Sequence, residues 1–126
     1  VDHLSNQLLA LRMAVDLSMA GGLRSIIAEV ARVEGVDVAQ IMGRGRVERV
    51  ALARQVAMTL AVELLGWSSV RVAREFGRDH STVLHARHAV MDRADTDFEF
   101  RARVDYLRGT LKFALRQPCP SPNSSP

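Results

Sequence analysis

The sequence predicts an all-α fold, a small helical bundle with one extra helix toward each end. Apolar residues recur every three or four positions along almost all of its 126 residues, which is the period of an amphipathic helix. Glycines interrupt this pattern, and no alternating run with a hairpin-type turn indicates a strand. Aromatic residues make up only 5% of the chain, so the core has to be built from aliphatic side chains.

The first predicted helix lies in the N-terminal segment, residues 1–22. Its apolar residues have helical spacing, and a pair of glycines, Gly21 and Gly22, follows them. The stripe consists of Leu4, Leu8, Leu11, Val15 and Met19. Because such a stripe needs cover, we expect this helix to pack on the C-terminal helix or on a second copy of the chain.

A central domain is predicted over residues 23–94, and it opens with two helices. The first covers Leu23–Glu34, and Gly35 is its stop signal. Asp37 then caps a short helical turn that runs through Ile41 and Met42.

A basic connector, "GRGRVER", separates this turn from a long helix predicted over Val50–Leu65. Gly66 follows as the end of the long helix. The connector holds one carboxylate, Glu48, which three arginines face: Arg44, Arg46 and Arg49. We expect this excess of positive charge to face a phosphate backbone.

The next two predicted helices flank a tight turn at positions 77 and 78. Ser68 is a good N-cap for the first, which ends at Phe76. The second begins at Asp79 or His80 and continues to about Arg93. This layout is that of a helix-turn-helix, whose second helix inserts its N-terminal end into the major groove of DNA.

Four hydrogen-bonding side chains in a row open that second helix, although capping requires only one. Side chains at such a helix start can reach base edges or phosphates, beside the positive end of the helix dipole. The four are Asp79, His80, Ser81 and Thr82. From pattern alone, an ordinary capped helix in a bundle that binds no DNA remains an equal alternative.

The last helix is predicted within residues 95–116, where Thr96 and Glu99 have the spacing of a capping box. Its apolar stripe consists of Phe100, Val104, Leu107, Leu111 and Leu115. Residues 117–126, "QPCPSPNSSP", are predicted to be a disordered tail or a linker. The tail contains the single cysteine, Cys119, so no internal disulfide can form.

Composition favours a polyanionic partner, and the sequence excludes a membrane-spanning protein and the common types of enzyme. The formal net charge is +3 and the pI about 10.0, and every basic residue except Lys112 is an arginine, although a GC-rich genome also explains this bias. No apolar run is long enough for a membrane span. The sequence contains no Gly-rich phosphate loop, nucleophile elbow or pair of catalytic carboxylates. We therefore expect no enzymatic activity and neither a nucleotide nor another cofactor.

Three histidines, His80, His85 and His88, lie about one turn apart on the predicted second helix of the motif. A metal site needs a third or fourth ligand in reach, and no cysteine or acidic cluster supplies it. No metal site is therefore predicted. We expect His85 to pack against the neighbouring helix and His88 to be solvated or near a phosphate.

Three stretches together resemble the C-terminal DNA-binding domain of DnaA, the bacterial replication initiator. "GRDHSTVLHA", Gly77–Ala86, is similar to the signature of that family. "RVALARQVAMTLAVELLGWSS", Arg49–Ser69, resembles the end of its basic loop and its long helix. "IIAEVARVEGVDVAQIMGRGR", Ile26–Arg46, resembles its opening helix, turn and basic loop. The resemblance runs in order and in register from about Ile26 to Val90.

The resemblance implies a role for individual residues. Asp79, His80 and Ser81 fall where the family reads bases in the major groove, and Arg54 matches an arginine that enters the neighbouring minor groove. Phosphate or supporting contacts are implied for Arg44, Arg46, Arg49, Ser69, Val70, Arg78 and Thr82.

The chain also departs from the family pattern. Only Gly77 precedes the Arg-Asp-His where the family has two glycines, which allows a tighter turn. Ser81 stands for a threonine whose methyl packs on a thymine, and prolines are replaced by Ala53 and Val70. The AAA+ ATPase domain of the initiator has no counterpart in the sequence, so the resemblance implies the DNA-reading module but not initiator activity.

The sequence therefore predicts sequence-preferring binding of double-stranded DNA, in the cytoplasm of a bacterium and on its nucleoid. Transcription regulation is the expected use, either alone or as the DNA-binding module of a larger regulator. One alternative is replication control at sites like DnaA boxes. Another is an adaptor that has lost DNA binding, with the terminal helices or the tail as docking surfaces for a protein partner or a second domain.

Overall fold

The structure, a computed structural model, describes residues 21–116, and this range is all-α, as predicted. Its six helices are α1 (Gly22–Glu34), α2 (Val38–Met42), α3 (Glu48–Leu65), α4 (Ser69–Phe76), α5 (His80–Thr96) and α6 (Phe98–Arg116). The helix predicted from Leu4 to Met19, the predicted tail and Cys119 lie outside the described residues. Gly22, which was expected to end the first helix, instead opens α1.

The long helix α3 is the centre of the bundle. It contacts each of the other five helices. Besides its larger apolar residues it buries Ala53, Ala57 and Ala61, which recur every four positions along one face. Because alanine adds little volume, neighbouring helices can approach the α3 backbone closely there. A helix that is buried on most sides needs no single apolar stripe, and α3 has none.

Three helices end at the glycines that the sequence marked as stops. The clearest case is Gly77 after α4, whose φ of 65° lies in the left-handed region that glycine adopts without strain. Its N–H donates to the Arg74 carbonyl at 3.1 Å, and the next N–H, of Arg78, donates to the Ala73 carbonyl at 2.8 Å. This is a Schellman motif, which ends α4 and turns the chain toward α5.

The start of α6 differs from the prediction. Thr96 does not cap it, because α5 continues through this residue and the Thr96 hydroxyl donates to carbonyls of the preceding turn. The predicted capping box of Thr96 and Glu99 is therefore wrong. Asp97 lies between the helices, and its Oδ1 accepts a hydrogen bond of 3.1 Å from the Phe100 N–H. A carboxylate one residue further along provides the same spacing and takes over the cap.

We predict that Asp97→Ala lowers the free energy of unfolding by about 1 kcal/mol, because the first turn of α6 loses its side-chain cap. Thr96→Ala is the matched control and should change it by less than about 0.5 kcal/mol. Urea unfolding followed by circular dichroism measures both. Equal losses in the two variants, or a larger one for Thr96→Ala, would contradict the assignment of the cap to Asp97.

Candidate nucleic-acid interface

Helices α4 and α5 form a rigid pair around the Gly77 turn. The first turn of α4 is capped by Ser68, whose Oγ accepts from the Arg71 N–H at 3.1 Å, as predicted. Both helices turn their apolar residues into the core, so their spacing is fixed by packing. The buried residues are Val72, Ala73, Phe76, Val83, Ala86 and Val90.

The four polar residues at the start of α5 are all exposed. Asp79 is the N-cap residue, yet its carboxylate makes no capping hydrogen bond. The Thr82 N–H donates instead to the main-chain carbonyl of Asp79, at 3.0 Å. Within residues 21–116, the side chains of Asp79, His80, Ser81 and Thr82 make no hydrogen bond to the protein. All four are therefore available to a ligand at the positive end of the α5 dipole.

The basic loop, residues 43–47, lies beside this turn. Arg44 and Arg46, together with Arg49 in the first turn of α3, are exposed, and none of the three is in an ion pair in the described part of the chain. Glu48 does not balance them, because it pairs with Arg93 of α5 at 3.5 Å. The connector therefore carries a larger uncompensated charge than its sequence suggested.

Arg54, for which the resemblance implied a minor-groove contact, lies inside the protein. Its side chain is only 8% exposed. Nε donates to the Ile41 carbonyl at 2.7 Å, Nη2 to the Gln40 carbonyl at 2.9 Å and Nη1 to the Gly45 carbonyl at 3.1 Å. Every guanidinium nitrogen is thus bonded to the segment formed by the end of α2 and the basic loop, so this side chain holds the loop from within.

Arg78 makes a second link to the same loop. Its Nη2 donates to the Gly43 carbonyl at 2.8 Å, and its Nη1 donates to the Phe76 carbonyl at 3.1 Å. One side chain therefore ties the turn of the helix pair to the basic loop, which lies far away in sequence. Of the residues assigned to phosphate or supporting contacts, Arg78 is the one that the structure gives a supporting role.

The three arginines around this link act on one another electrostatically. Burial, followed by the neighbouring charge of Arg78, lowers the pKa of Arg54. Burial, followed by the charge of Arg44, lowers the pKa of Arg78. Arginine nevertheless keeps its charge at any physiological pH. A cluster of positive charges that is not paired with carboxylates attracts anions. The attraction is strongest where water is partly excluded.

Most ion pairs of residues 21–116 involve α6 or lie within α1. Two of them join α6 to the helices beside it, with Arg103 Nε at 2.9 Å from Glu34 Oε2 and Arg108 Nε at 2.8 Å from Glu63 Oε2. By contrast, positions 43–90 contain eight arginines and only four acidic residues. The helix pair and the basic loop therefore form a basic surface.

The first turn of α4 borders this basic surface. Val70 is exposed and Ser69 is half-buried, so both lie at the edge where a ligand would meet α4. The Arg71 guanidinium stacks on the Trp67 ring at 3.8 Å from its centroid, which fixes a positive group at the same edge. Sequence reasoning assigned no role to Arg71, although an arginine four residues after a tryptophan is a spacing that allows such stacking.

The histidines of α5 are not brought into a metal site. His85 is exposed and not packed against the neighbouring helix, so that expectation is corrected, and His88 is exposed as well. No group of three or more metal-binding side chains occurs among residues 21–116. In the same range, no helix has the length and apolar character that crossing a membrane requires.

A glycine turn between two packed helices, with the polar start of the second exposed beside an unpaired basic loop, defines a helix-turn-helix DNA-binding domain. The family model described as the bacterial dnaA protein helix-turn-helix matches residues 23–90, and the chain belongs to this family.

Relatives include the chromosomal replication initiator proteins DnaA of Streptococcus pyogenes serotype M5 (strain Manfredo) and serotype M1. Each is 37% identical to the chain over 91 residues, a match that covers 71% of the chain and 20% of the relative. The same values hold for the DnaA protein of serotype M18 (strain MGAS8232). The chain therefore matches about a fifth of the length of these curated relatives.

We predict that Arg54→Met lowers the free energy of unfolding by about 2–3 kcal/mol, because three carbonyls lose a charged donor while the apolar stem still fills the site. Arg44→Met, at an exposed residue of the same loop, is the control and should change it by less than about 0.5 kcal/mol. Urea unfolding measures both. If Arg54→Met left stability unchanged, the three hydrogen bonds would not hold the loop.

Proposed function

We propose that the chain binds double-stranded DNA with a sequence preference, by placing the start of α5 in the major groove. The observation that carries this proposal is the set of four exposed polar side chains at that helix start, none of which is used in capping. Base edges in the major groove present a pattern of donors and acceptors that such side chains can distinguish. The packed core behind α5 holds the helix in place while it does so.

Three of these residues are the proposed base readers. Asp79 can accept from a cytosine amine, and His80 can donate to a purine or to a phosphate. Ser81 can bond to a base edge but has no methyl to pack on a thymine, which relaxes the preference at that base. Thr82 stands one residue further into the helix, where its hydroxyl supports the same contact or reaches a phosphate.

The basic loop is the proposed grip on the phosphate backbone. Arg44, Arg46 and Arg49 are exposed and unpaired, and such contacts set affinity and register without reading sequence. Arg54 and Arg78 act on DNA only indirectly, because they hold the loop at a fixed place beside the helix pair. This replaces the minor-groove role first expected for Arg54. Ser69 and Val70 would meet the backbone from α4.

The biological use that we propose is transcription regulation, without catalysis and without a nucleotide cofactor. The chain would work on the bacterial nucleoid, in the cytoplasm, alone or as the DNA-binding module of a larger regulator.

Replication control at DnaA-box-like sites is the second candidate, and the observation that favours it is the name of the relatives, chromosomal replication initiator proteins. Selection of bound duplexes from a random pool, followed by mapping of the selected sites on the genome, separates the two. Sites at promoters support the first, and clustered sites at a replication origin support the second.

We predict that His80→Ala weakens binding to the selected duplex by about 1–3 kcal/mol, roughly fivefold to 150-fold, and hardly changes binding to random duplex. The reason is that the variant can no longer bond to a base, while the bonds to phosphates remain. His88→Ala, an exposed histidine two turns further along α5, is the control and should leave the ratio of the two affinities unchanged. Fluorescence anisotropy at fixed salt measures this ratio. An unchanged ratio in His80→Ala, with the fold intact, would remove His80 from base reading.

We also predict that replacing Arg44, Arg46 and Arg49 by alanine weakens binding to selected and random duplexes alike. For every arginine that binds a phosphate, its replacement should flatten the dependence of log affinity on log salt by roughly one unit. The control carries Arg101→Ala and Arg116→Ala on α6, away from the basic loop and from the start of α5, and should keep the original slope. Anisotropy titrations at several salt concentrations give the slopes. The same slope in the triple variant and the unchanged protein would show that the basic loop does not touch DNA.

A further inference from the structure

The C-terminal helix α6 has a second apolar face that no described residue covers. Its buried face, with Phe100, Leu107 and Leu111, belongs to the core. Three large rings lie on another face, where Phe98 is 85%, Tyr106 is 52% and Phe113 is 67% exposed. With two small residues between them these rings form one stripe at helical spacing, which we call the outer stripe: Phe98, Ala102, Tyr106, Gly109 and Phe113.

The outer stripe borders a groove between α6 and α1. The groove has a volume of about 430 Å³, and its walls include Val33 of α1 and Ala102 and Tyr106 of α6. The Tyr106 hydroxyl is 3.3 Å from Arg32 Nη2, so the ring is held at the edge of the groove with one face open. Exposed aromatic side chains that follow one another along a helix are typical of a surface that packs against another apolar segment.

We propose that the N-terminal segment, residues 4–19 of this same chain, packs on the outer stripe as a helix antiparallel to α1. The apolar residues of the segment follow one another at steps of three or four positions, as those of the outer stripe do. Leu4 to Met19 and Phe98 to Phe113 also span the same number of residues. At the helical rise per residue, both stripes are about 22 Å long.

The path of the chain brings the segment to this face. Glu34 of α1 pairs with Arg103, and Arg32, two residues earlier, contacts Tyr106, three residues later. Helices α1 and α6 therefore run antiparallel, and the start of α1 lies toward the C-terminal end of α6. There Gly22 packs against Leu65, so closely that a Cβ at this position would clash with Cδ2 of the leucine. A reversal at Gly21 and Gly22 would return the segment beside α1 and parallel to α6, with Met19 near Phe113 and Leu4 near Phe98.

The N-terminal segment is favoured over a second copy of the chain as the partner that covers the outer stripe, because it is tethered to the same chain. A short connection gives it a millimolar effective concentration at the stripe, whereas a second copy has to be present at such a concentration. Ala102 and Gly109 add little volume, so a neighbouring helix can approach the α6 backbone closely at two points.

Cross-linking in the full chain tests the pairing. In a Cys119→Ser background, Leu8→Cys is combined with Ala102→Cys, the residue that the proposed register places opposite. The control combines Leu8→Cys with Val47→Cys, in the basic loop, where the side chain is 68% exposed. Mild oxidation of dilute protein, followed by non-reducing electrophoresis and peptide mapping, shows which disulfides form.

We expect an intramolecular disulfide in the test pair well above the level in the control pair, because a disulfide requires Cα atoms within about 7 Å. A disulfide-linked dimer as the main product would show that a second copy covers the stripe and would overturn the proposal. Equal cross-linking in both pairs, or none in the test pair, would overturn it as well.

Thermal unfolding of Phe113→Ser gives an independent measurement. If the segment covers this ring, the midpoint falls by about 4 °C or more, because less apolar surface is buried on folding. Met91→Ser, inside α5 at a residue that is 61% exposed against 67% for Phe113, is the matched control and should move the midpoint much less. An unchanged midpoint in Phe113→Ser would mean that the ring is exposed to water in the full chain and would overturn the proposal.

Discussion

The buried guanidinium of Arg54 is the interaction on which the basic surface of the molecule depends. Helix α2 has only five residues, so it cannot satisfy its last carbonyls by itself. The planar fork of Arg54 donates to two of them, Gln40 and Ile41, and to Gly45 in the basic loop. Lysine could not replace it, because a single ammonium has no flat array of donors that spans three carbonyls. The negative end of the short helix adds a favourable field for the positive charge.

The side chain that holds the loop lies close to other arginines, and the repulsion between these positive charges is unfavourable. None of Arg44, Arg54 and Arg78 is paired with a carboxylate, and burial, followed by the charge of the neighbouring arginine, lowers the pKa of the last two. The hydrogen bonds to backbone carbonyls offset part of this repulsion within the protein. A DNA phosphate beside the loop would relieve the rest and release counterions into solution. The repulsion among these arginines is therefore unfavourable in the isolated domain, and a bound phosphate would offset it.

Helix ends and caps could be predicted from the sequence because they depend on neighbouring residues. Contacts between residues that are distant in sequence could not. Gly35, Gly66 and Gly77 mark helix ends in the structure as in the pattern, and Ser68 caps α4, because each effect acts within one turn. Arg54 could not be placed in the same way, since the carbonyls that receive it become neighbours only when α2 folds against α3. Glu48 was matched with nearby arginines, although its partner Arg93 lies on α5. The helix-turn-helix pattern and the family resemblance predicted that the four polar residues at the start of α5 contact DNA. The structure adds that none of their side chains caps the helix.

The turn between α4 and α5 needs only one glycine, although the family pattern has two. A Schellman motif needs one residue in the left-handed region, and Gly77 occupies it. No residue other than glycine has a positive φ between positions 21 and 116, so Arg78 follows with ordinary backbone geometry and does not have to be a glycine. Its side chain is then free to bond to Gly43 of the basic loop. The turn that starts α5, the proposed reading helix, and the loop proposed to bind phosphate are therefore joined by one side chain, which sets the distance between them.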